Sequence, residues 1–124
     1  EFLGSVPYHQ LPALYQKSDI FVRPSRSEGL GSAFLEAMAT GLITVGTPVG
    51  GIPDFLEDQK TGFLAASNDS NDLARVLEHV FTLSEENRNA IVHNAQVCVQ
   101  KRFTWGTVAQ QMKTIFCSYI GNNL

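Results

Sequence analysis

The sequence predicts an α/β fold in which short parallel strands are flanked by helices and followed by a helical C-terminal tail. In the first half, short apolar runs alternate with helical patterns, and glycine or proline stands at nearly every change between them. After Asn68 the pattern changes to three amphipathic helices. Such alternation is typical of β-α-β units around a parallel sheet. We therefore expect strand–helix alternation over residues 1–66 and helices over residues 67–124, within one domain or part of one.

The composition favours a packed globular domain. With 124 residues, 44% apolar and 17% charged, the chain has the size and apolar content of one domain with its own core. Its formal charge of −3 gives no electrostatic case for binding nucleic acid or an anionic membrane, since either would need a clustered basic face. Any anion must therefore be bound by a local arrangement of groups.

The cysteines and the lengths of the apolar runs indicate the cellular location. Cys98 and Cys117 lack the Cys-x-x-Cys spacing, so neither a disulfide framework nor a metal site is expected, and a reducing, cytoplasmic location fits best. The apolar runs are of strand length, too short to span a bilayer, and no signal peptide is visible.

The first half contains four candidate strands. In chain order we predict a strand end at residues 2–4, a helix around 11–15, a strand at 20–22, a helix over 32–40, and strands at 43–45 and 62–64. Residues 20–22 form the continuous apolar run of a strand buried on both faces, and Pro24 ends it because proline has no N–H for the ladder. Gly41 is placed to end the second helix.

An irregular loop and three helices complete the predicted elements. Residues 46–53 hold three glycines and two prolines, which predicts tight backbone turns before a short helix through Phe55 and Leu56. The later helices have N-cap candidates, which are Ser70 or Asn71, then Ser84, then Thr104. The last helix carries an apolar stripe through Trp105, Val108, Met112, Ile115, Phe116 and Tyr119. We interpret these helices as scaffold.

The segment from Pro24 to Ala39 carries the chemistry. It joins the carboxyl end of a strand to the start of a helix, which is where ligands bind in open α/β sheets. Gly29 and Gly31 allow close approach of the backbone to a ligand, and the N–H groups of the first helical turn favour phosphate.

Two carboxylates, Glu28 and Glu36, lie eight residues apart in this segment. If the helix begins near Gly31, Glu36 lies about 7 Å along its axis, at roughly 1.5 Å per residue. The two side chains can then bracket a diphosphate and accept hydrogen bonds from hydroxyl groups at its two ends. Sugar and ribose hydroxyls are suitable donors.

The order of these motifs resembles one protein family over nearly the whole chain. The quoted stretches are Glu28-Gly29-Leu30-Gly31, Leu35-Glu36-Ala37-Met38-Ala39, Gly41, Gly50-Gly51-Ile52-Pro53 and Thr61-Gly62-Phe63-Leu64. The flanks at residues 2–4, 11–15, 19–25 and 102–105 also look like family positions. The chain closely resembles the C-terminal domain of glycosyltransferases with the GT-B fold, in particular family 4, the glycosyl transferases group 1.

The resemblance implies a fold and a set of site residues. The fold is the later half of a Rossmann-like GT-B C-terminal domain. Glu28 and Glu36 match the family's E-x7-E motif, in which Glu28 would contact the donor sugar and serve as the catalytic candidate and Glu36 would bind the ribose. The backbone at Gly29, Leu30 and Gly31 would lie near the sugar and diphosphate, and Arg26, Thr47, Gly50 and Gly51 are possible cleft residues.

The resemblance also implies an activity. This is transfer of a hexosyl unit from a nucleoside-diphosphate sugar to an acceptor hydroxyl, with retention at the anomeric carbon, in polysaccharide or glycoconjugate synthesis. The nucleotide sugar is the substrate, and no separate cofactor or metal is expected. The chain departs from the family at Ile43, where many members have Pro, and at Asp54, where many have Glu.

Further expectations concern what lies outside this chain. The resemblance places the acceptor domain, the first strands of this domain and the phosphate-binding Arg and Lys upstream of residue 1. We would not expect the chain to catalyse transfer alone. Peripheral membrane association would come through the N-terminal domain, and unpaired sheet edges would favour self-association, including exchange of the N-terminal strand.

Other function classes are less well supported. A dinucleotide oxidoreductase would need G-x-G-x-x-G, but Phe34 occupies the third glycine position, and no Walker-type lysine follows a glycine loop. The three histidines share no ligand or base spacing. Two alternatives stay open: a nucleotide-sugar epimerase with the GT-B fold, and a non-catalytic nucleotide-sugar-binding or assembly module.

Overall fold

A computed structural model describes residues 1–121 and has the architecture that the sequence predicts. Its elements are α1 (Leu11–Gln16), β1 (Ile20–Val22), α2 (Ser32–Ala39), β2 (Ile43–Gly46), β3 (Phe63–Leu64), α3 (Ser70–Phe81), α4 (Glu85–Arg102) and α5 (Trp105–Gly121). Single turns of 3-10 helix occur at Tyr8–Gln10 and Ile52–Asp54. The predicted α/β class, with short parallel strands, flanking helices and a helical tail, is confirmed.

The three strands form one parallel sheet in the order β1-β2-β3. Ile20 aligns with Ile43, and Val45 aligns with Val22 on one side and Phe63 on the other. All four residues of the central strand β2 are buried. Because the strands are parallel, their carboxyl ends share one edge of the sheet, from which the loops after β1 and β2 leave.

The sheet is covered on both faces. One core cluster packs side chains of α2, of the turn after β2 and of α4 together, namely Phe34, Met38, Ile52, Phe55, Leu56, Ala95 and Val99. The other joins alternate strand residues to α3 and α4, namely Ile43, Val45, Phe63, Ala65, Val76, Val80 and Ile91. Coverage of both faces explains the continuous burial of β2. β1 is only partly buried and Val22 is 39% exposed, so the prediction that this strand is buried on both faces is wrong. The reason is that β1 lies at the edge of the described sheet.

A row of aromatic rings runs through the first cluster from α1 to the end of α4. The ring centroids of Tyr15 and Phe21 are 6.2 Å apart, and those of Phe21 and Phe34 are 5.1 Å apart. The row continues from Phe34 to Phe55 at 6.2 Å and from Phe55 to Phe103 at 5.7 Å. These mostly edge-to-face contacts add to the stabilisation from burial. This aromatic row ties α1 to β1 and α2.

Most predicted helix ends are confirmed. Gly41 follows α2 with φ +90°, the left-handed conformation expected of a C-terminal glycine. The Ser84 hydroxyl accepts the Asn87 N–H at 3.2 Å, and the Thr104 hydroxyl accepts the Thr107 N–H at 3.2 Å. Each satisfies an N–H that has no partner within its helix.

The N-cap of α3 differs from the prediction. The cap is Asp69, whose carboxylate accepts the N–H groups of Asn71 and Asp72, both at 3.0 Å. Ser70 is already helical, so the predicted cap at Ser70 or Asn71 is wrong by one or two residues. Asn68 adopts φ +61° just before, and this turn places the carboxylate over the first helical N–H groups.

The predicted strand end at residues 2–4 is absent, since these residues form no strand. Phe2 and Leu3 are exposed. In a doubly wound sheet of order 3-2-1-4-5-6, strands 4, 5 and 6 are neighbours, whereas strand 3 pairs only with strand 2 at the far edge. Residues 2–4 would be strand 3, and no described strand lies where that partner belongs. The short helix predicted through Phe55 and Leu56 is also displaced, to the 3-10 turn at Ile52–Asp54.

The apolar stripe of α5 is present but largely exposed to solvent. Trp105 is 90% exposed, and Met112, Ile115 and Phe116 are each more than half exposed. Over the described residues 1–121, no helix combines the length and apolar character needed to cross a membrane.

Candidate functional site

The loop from β1 to α2 ends at a helix start without a side-chain cap. Gly31 is the N-cap of α2, has φ +74°, and provides no side-chain hydrogen bond to the helix. A Cβ there would lie 2.7 Å from Ile52 Cδ1, so both the conformation and the packing require glycine. Because α3 and α4 are capped by Asp69 and Ser84, α2 differs from them in leaving its first N–H groups to solvent or a ligand.

The loop after β2 packs directly against this one. The Gly51 N–H donates to the Gly29 carbonyl at 2.8 Å. Gly50 has φ +55°, and a Cβ there would lie 1.8 Å from the Glu28 carbonyl oxygen. We call residues 28–31 and 47–51 the paired loops. Their backbones are in contact, so the position of one fixes the position of the other.

Thr47 does not face the cleft as the sequence predicts. It is 2% exposed, and its hydroxyl donates to the Ser25 carbonyl at 2.5 Å. The hydroxyl therefore ties the loop after β2 to the chain that follows β1, ahead of Glu28, and is not free to bind a ligand.

Glu28 is held in place by groups of the strand end before it. Its side chain is 16% exposed and lies 3.1 Å from an Nη atom of Arg23. The Ser25 hydroxyl donates to the same carboxylate oxygen at 3.3 Å. The sequence analysis did not predict this ion pair. An arginine five residues before a glutamate was the available signal, and it is a weak one because the loop between them has no regular periodicity.

Glu36 receives a phenol on each carboxylate oxygen. The Tyr15 hydroxyl donates to Oε2 at 3.2 Å and the Tyr8 hydroxyl to Oε1 at 3.4 Å. Partial burial, and then the negative charge of Glu36, raise the pKa of the Tyr15 phenol. A phenol is protonated at neutral pH without any shift, and the raised pKa extends the range over which Tyr15 can donate to more alkaline pH. The two tyrosines are seven residues apart, a spacing that puts side chains on one side of a helical segment, and this signal was overlooked.

The remaining predicted residues lie on the surface of this edge. Gly29 is exposed, with nothing within 4 Å of an added Cβ, and Leu30 is 53% exposed. Arg26 is exposed and lines a groove of about 340 Å³ with residues that follow β3. Within residues 1–121, no three His, Cys, Asp or Glu side chains come together as a metal site.

Comparison with known proteins identifies similar chains. Residues 1–97 match the family of glycosyl transferases group 1. The D-inositol 3-phosphate glycosyltransferase of Corynebacterium aurimucosum is 35% identical over 115 residues, which are 93% of this chain and 27% of that protein. The sulfoquinovosyl transferase of Arabidopsis thaliana is 35% identical over 115 residues, which cover 90% of this chain and 22% of that one. The chain spans about a quarter of the length of such relatives.

Solved structures with the same fold include sugar-nucleotide complexes. A sucrose-phosphate synthase from Thermosynechococcus elongatus has a TM-score of 0.86 and 26% identity over 98% of this chain and 30% of its own. The Anabaena protein HepE, in complex with UDP and glucose, has a TM-score of 0.85 and 28% identity over 95% of this chain and 32% of its own. The predicted fold, that of the later half of a GT-B C-terminal domain, is confirmed by these neighbours.

Proposed function

Because this chain belongs to the glycosyl transferases group 1 family, we propose that it forms the donor-binding part of a retaining glycosyltransferase that uses a nucleoside-diphosphate sugar. The observation that carries the proposal is the uncapped start of α2 between two part-buried carboxylates, Glu28 and Glu36, at the carboxyl edge of the parallel sheet. Helix N–H groups suit the diphosphate, and the carboxylates suit hydroxyl groups on either side of it. UDP is the first nucleotide to test as part of the donor, since the structure of HepE was solved in complex with UDP.

Different residues of the site bind different parts of the donor. Glu28, beside the exposed Gly29, accepts hydrogen bonds from hydroxyls of the sugar. The N–H groups at the start of α2 lie against the diphosphate, and Glu36 takes the ribose. The paired loops fix these parts relative to one another, since the Gly51 N–H is bonded to the Gly29 carbonyl.

The reaction proposed exchanges one bond at the anomeric carbon. The bond from that carbon to the diphosphate oxygen breaks, and the nucleoside diphosphate leaves with the electron pair. A bond forms to the acceptor hydroxyl oxygen on the same face of the sugar, and the hydroxyl proton passes to the oxygen of the leaving diphosphate. Helix N–H groups near the diphosphate stabilise the negative charge that develops on the leaving group. No separate cofactor is part of this proposal.

A first prediction concerns Glu28. In the full-length protein, Glu28→Gln is expected to lower kcat/KM for the active nucleotide sugar by about 10- to 100-fold, since a neutral amide is a weaker acceptor for sugar hydroxyls and loses the ion pair with Arg23. The measurement is release of nucleoside diphosphate from a panel of UDP-, GDP- and ADP-sugars, with and without candidate acceptors. Glu78→Gln is the matched control, because Glu78 is an exposed glutamate of α3 away from the site.

The same panel of nucleotide sugars distinguishes a retaining transferase from an epimerase and from a binding module. Transfer with the anomeric configuration retained, read by NMR of the product, supports the proposal, whereas an inverted product contradicts it. Conversion of the sugar to its epimer without transfer indicates an epimerase. Tight binding of the nucleotide sugar with neither product indicates a binding or assembly module.

The proposal also includes the acceptor and the cellular location. The acceptor is a hydroxyl of a sugar, lipid-linked or other molecule, held by a separate acceptor-binding domain, in polysaccharide or glycoconjugate synthesis in the cytoplasm or at its membrane surface. A chain tested without that domain is expected to bind donor and not to turn it over. It is also expected to self-associate, because β1 is an edge strand of the described sheet.

A further inference from the structure

The two phenols on Glu36 differ in how firmly they are held. Tyr15 is half-buried on α1 and continues into the aromatic row through Phe21, which fixes its ring. Tyr8 is 74% exposed on a single 3-10 turn, and its hydrogen bond is longer, at 3.4 Å against 3.2 Å. An ordered donor costs less conformational entropy when it forms its bond than a mobile one. Tyr15 is therefore the firmer of the two partners.

We propose that Tyr15 is a positioning residue that holds the Glu36 carboxylate in the orientation needed to bind the donor ribose. This inference rests on the proposed function of Glu36. Tyr15 belongs to α1 and lies 21 positions before Glu36 in the sequence. The contact thus couples two elements of the fold at the donor site.

The number of hydrogen bonds that the Glu36 carboxylate can accept supports this role. A carboxylate has about four lone-pair positions, and each oxygen of Glu36 uses one of them for a phenol. About two positions stay open, which matches the two vicinal hydroxyls of a ribose. A free glutamate on a helix surface would sample several rotamers, and the Tyr15 bond selects one of them.

Space for a ligand exists beside the same groups. Glu36, Tyr8 and Tyr15 share a cavity of about 240 Å³ whose other walls include Leu11 and Pro12. The cavity lies between α1 and α2 and is bordered by the Glu36 side chain. A tyrosine phenol is protonated throughout the neutral range, so it can donate to Glu36 there.

A double-mutant cycle on the full-length protein tests the proposal. UDP, GDP and ADP are titrated by calorimetry, and the tightest binder is used with its 2′,3′-dideoxy form. Tyr15→Phe is expected to raise the Kd of the ribonucleotide about 3- to 10-fold, the worth of one typical intramolecular hydrogen bond. Tyr8→Phe, the matched control, is expected to raise it less than about 2-fold. For the dideoxy nucleotide, Tyr15→Phe and wild type are expected to bind alike.

The cycle is completed in a Glu36→Ala background, where Tyr15→Phe is expected to add no further loss. An equal loss in that background, or an equal loss with the dideoxy nucleotide, overturns the positioning role and makes Tyr15 a general structural residue. If Glu36→Ala weakens the ribonucleotide and Tyr15→Phe does not, positioning fails while the proposed function stands. If Glu36→Ala has no effect, or none of the three nucleotides binds, the proposed ribose contact fails first.

Discussion

Glu36→Ala in the full-length protein is expected to lower kcat/KM for the nucleotide sugar by about 10- to 150-fold, equivalent to ~1.5–3 kcal/mol. The expected loss has one physical origin, removal of the charged acceptor that we propose for the ribose hydroxyls of the donor. Because that contact is made in both the bound substrate and the transition state, most of the loss should appear as a higher KM. Initial rates over a range of donor concentrations measure the two constants separately.

Glu36→Gln is the matched control for that experiment. Its amide keeps the length of the side chain and an oxygen that can accept from Tyr15, but carries no charge. An intermediate loss is expected. Since Glu36 is only half-buried, neither variant should change the melting temperature by more than a few degrees. Wild-type kcat/KM in the alanine variant would remove Glu36 from the donor site.

Gly50→Ala is expected to destabilise the paired loops by about 2–4 kcal/mol and to abolish most of the activity. Gly50 has φ +55°, which an L-residue adopts at a cost, and the added Cβ would stand 1.8 Å from the Glu28 carbonyl oxygen. The neighbour is backbone, so it cannot swing aside as a flexible side chain can. Either the loops separate, which displaces Glu28, or the chain loses stability. Thermal unfolding and donor kinetics of the same variant distinguish these results.

Gly29→Ala is the control for Gly50→Ala, because Gly29 lies in the other of the paired loops. A Cβ at Gly29 meets nothing within 4 Å and its φ is not in the left-handed region. Its melting temperature should therefore match wild type. A loss of donor binding in this stable variant would show that a ligand passes close to Gly29. If Gly50→Ala lowered the melting temperature as little as Gly29→Ala does, the contact between the paired loops would be refuted.

Local patterns in the sequence were sufficient for most of the elements. The run predicted as a strand at residues 43–45 became part of β2, where both faces of the sheet are covered. The apolar run at Ile20–Val22 was sufficient to predict β1, although this edge strand is only partly buried. Gly41, Ser84 and Thr104 were predictable because a cap depends on residues within one turn. The helical pattern placed the start of α2 near Gly31, and the structure has Gly31 as its N-cap, which supports the predicted spacing of Glu36.

Contacts between elements were not predictable from the sequence. The bond from Tyr15 to Glu36 depends on how α1 lies against α2, and the contact of Gly50 with Glu28 depends on two loops that meet only after the sheet has formed. Residues 2–4 carry strand-like side chains, yet a strand requires a partner, and pairing is a tertiary property. The prediction that Thr47 faces the cleft failed for a related reason, since its hydroxyl is taken by a carbonyl of the other loop.

The exposed stripe of α5 gives this chain a built-in optical probe. Trp105 is its single tryptophan and is 90% exposed. An indole in water emits at long wavelength, and one covered by apolar groups emits at shorter wavelength. The intrinsic fluorescence of the chain therefore reports on the surface of α5 rather than on the aromatic row in the core. Melting of the sheet should hardly move the emission maximum, whereas any molecule that covers the start of α5 should shift it to the blue.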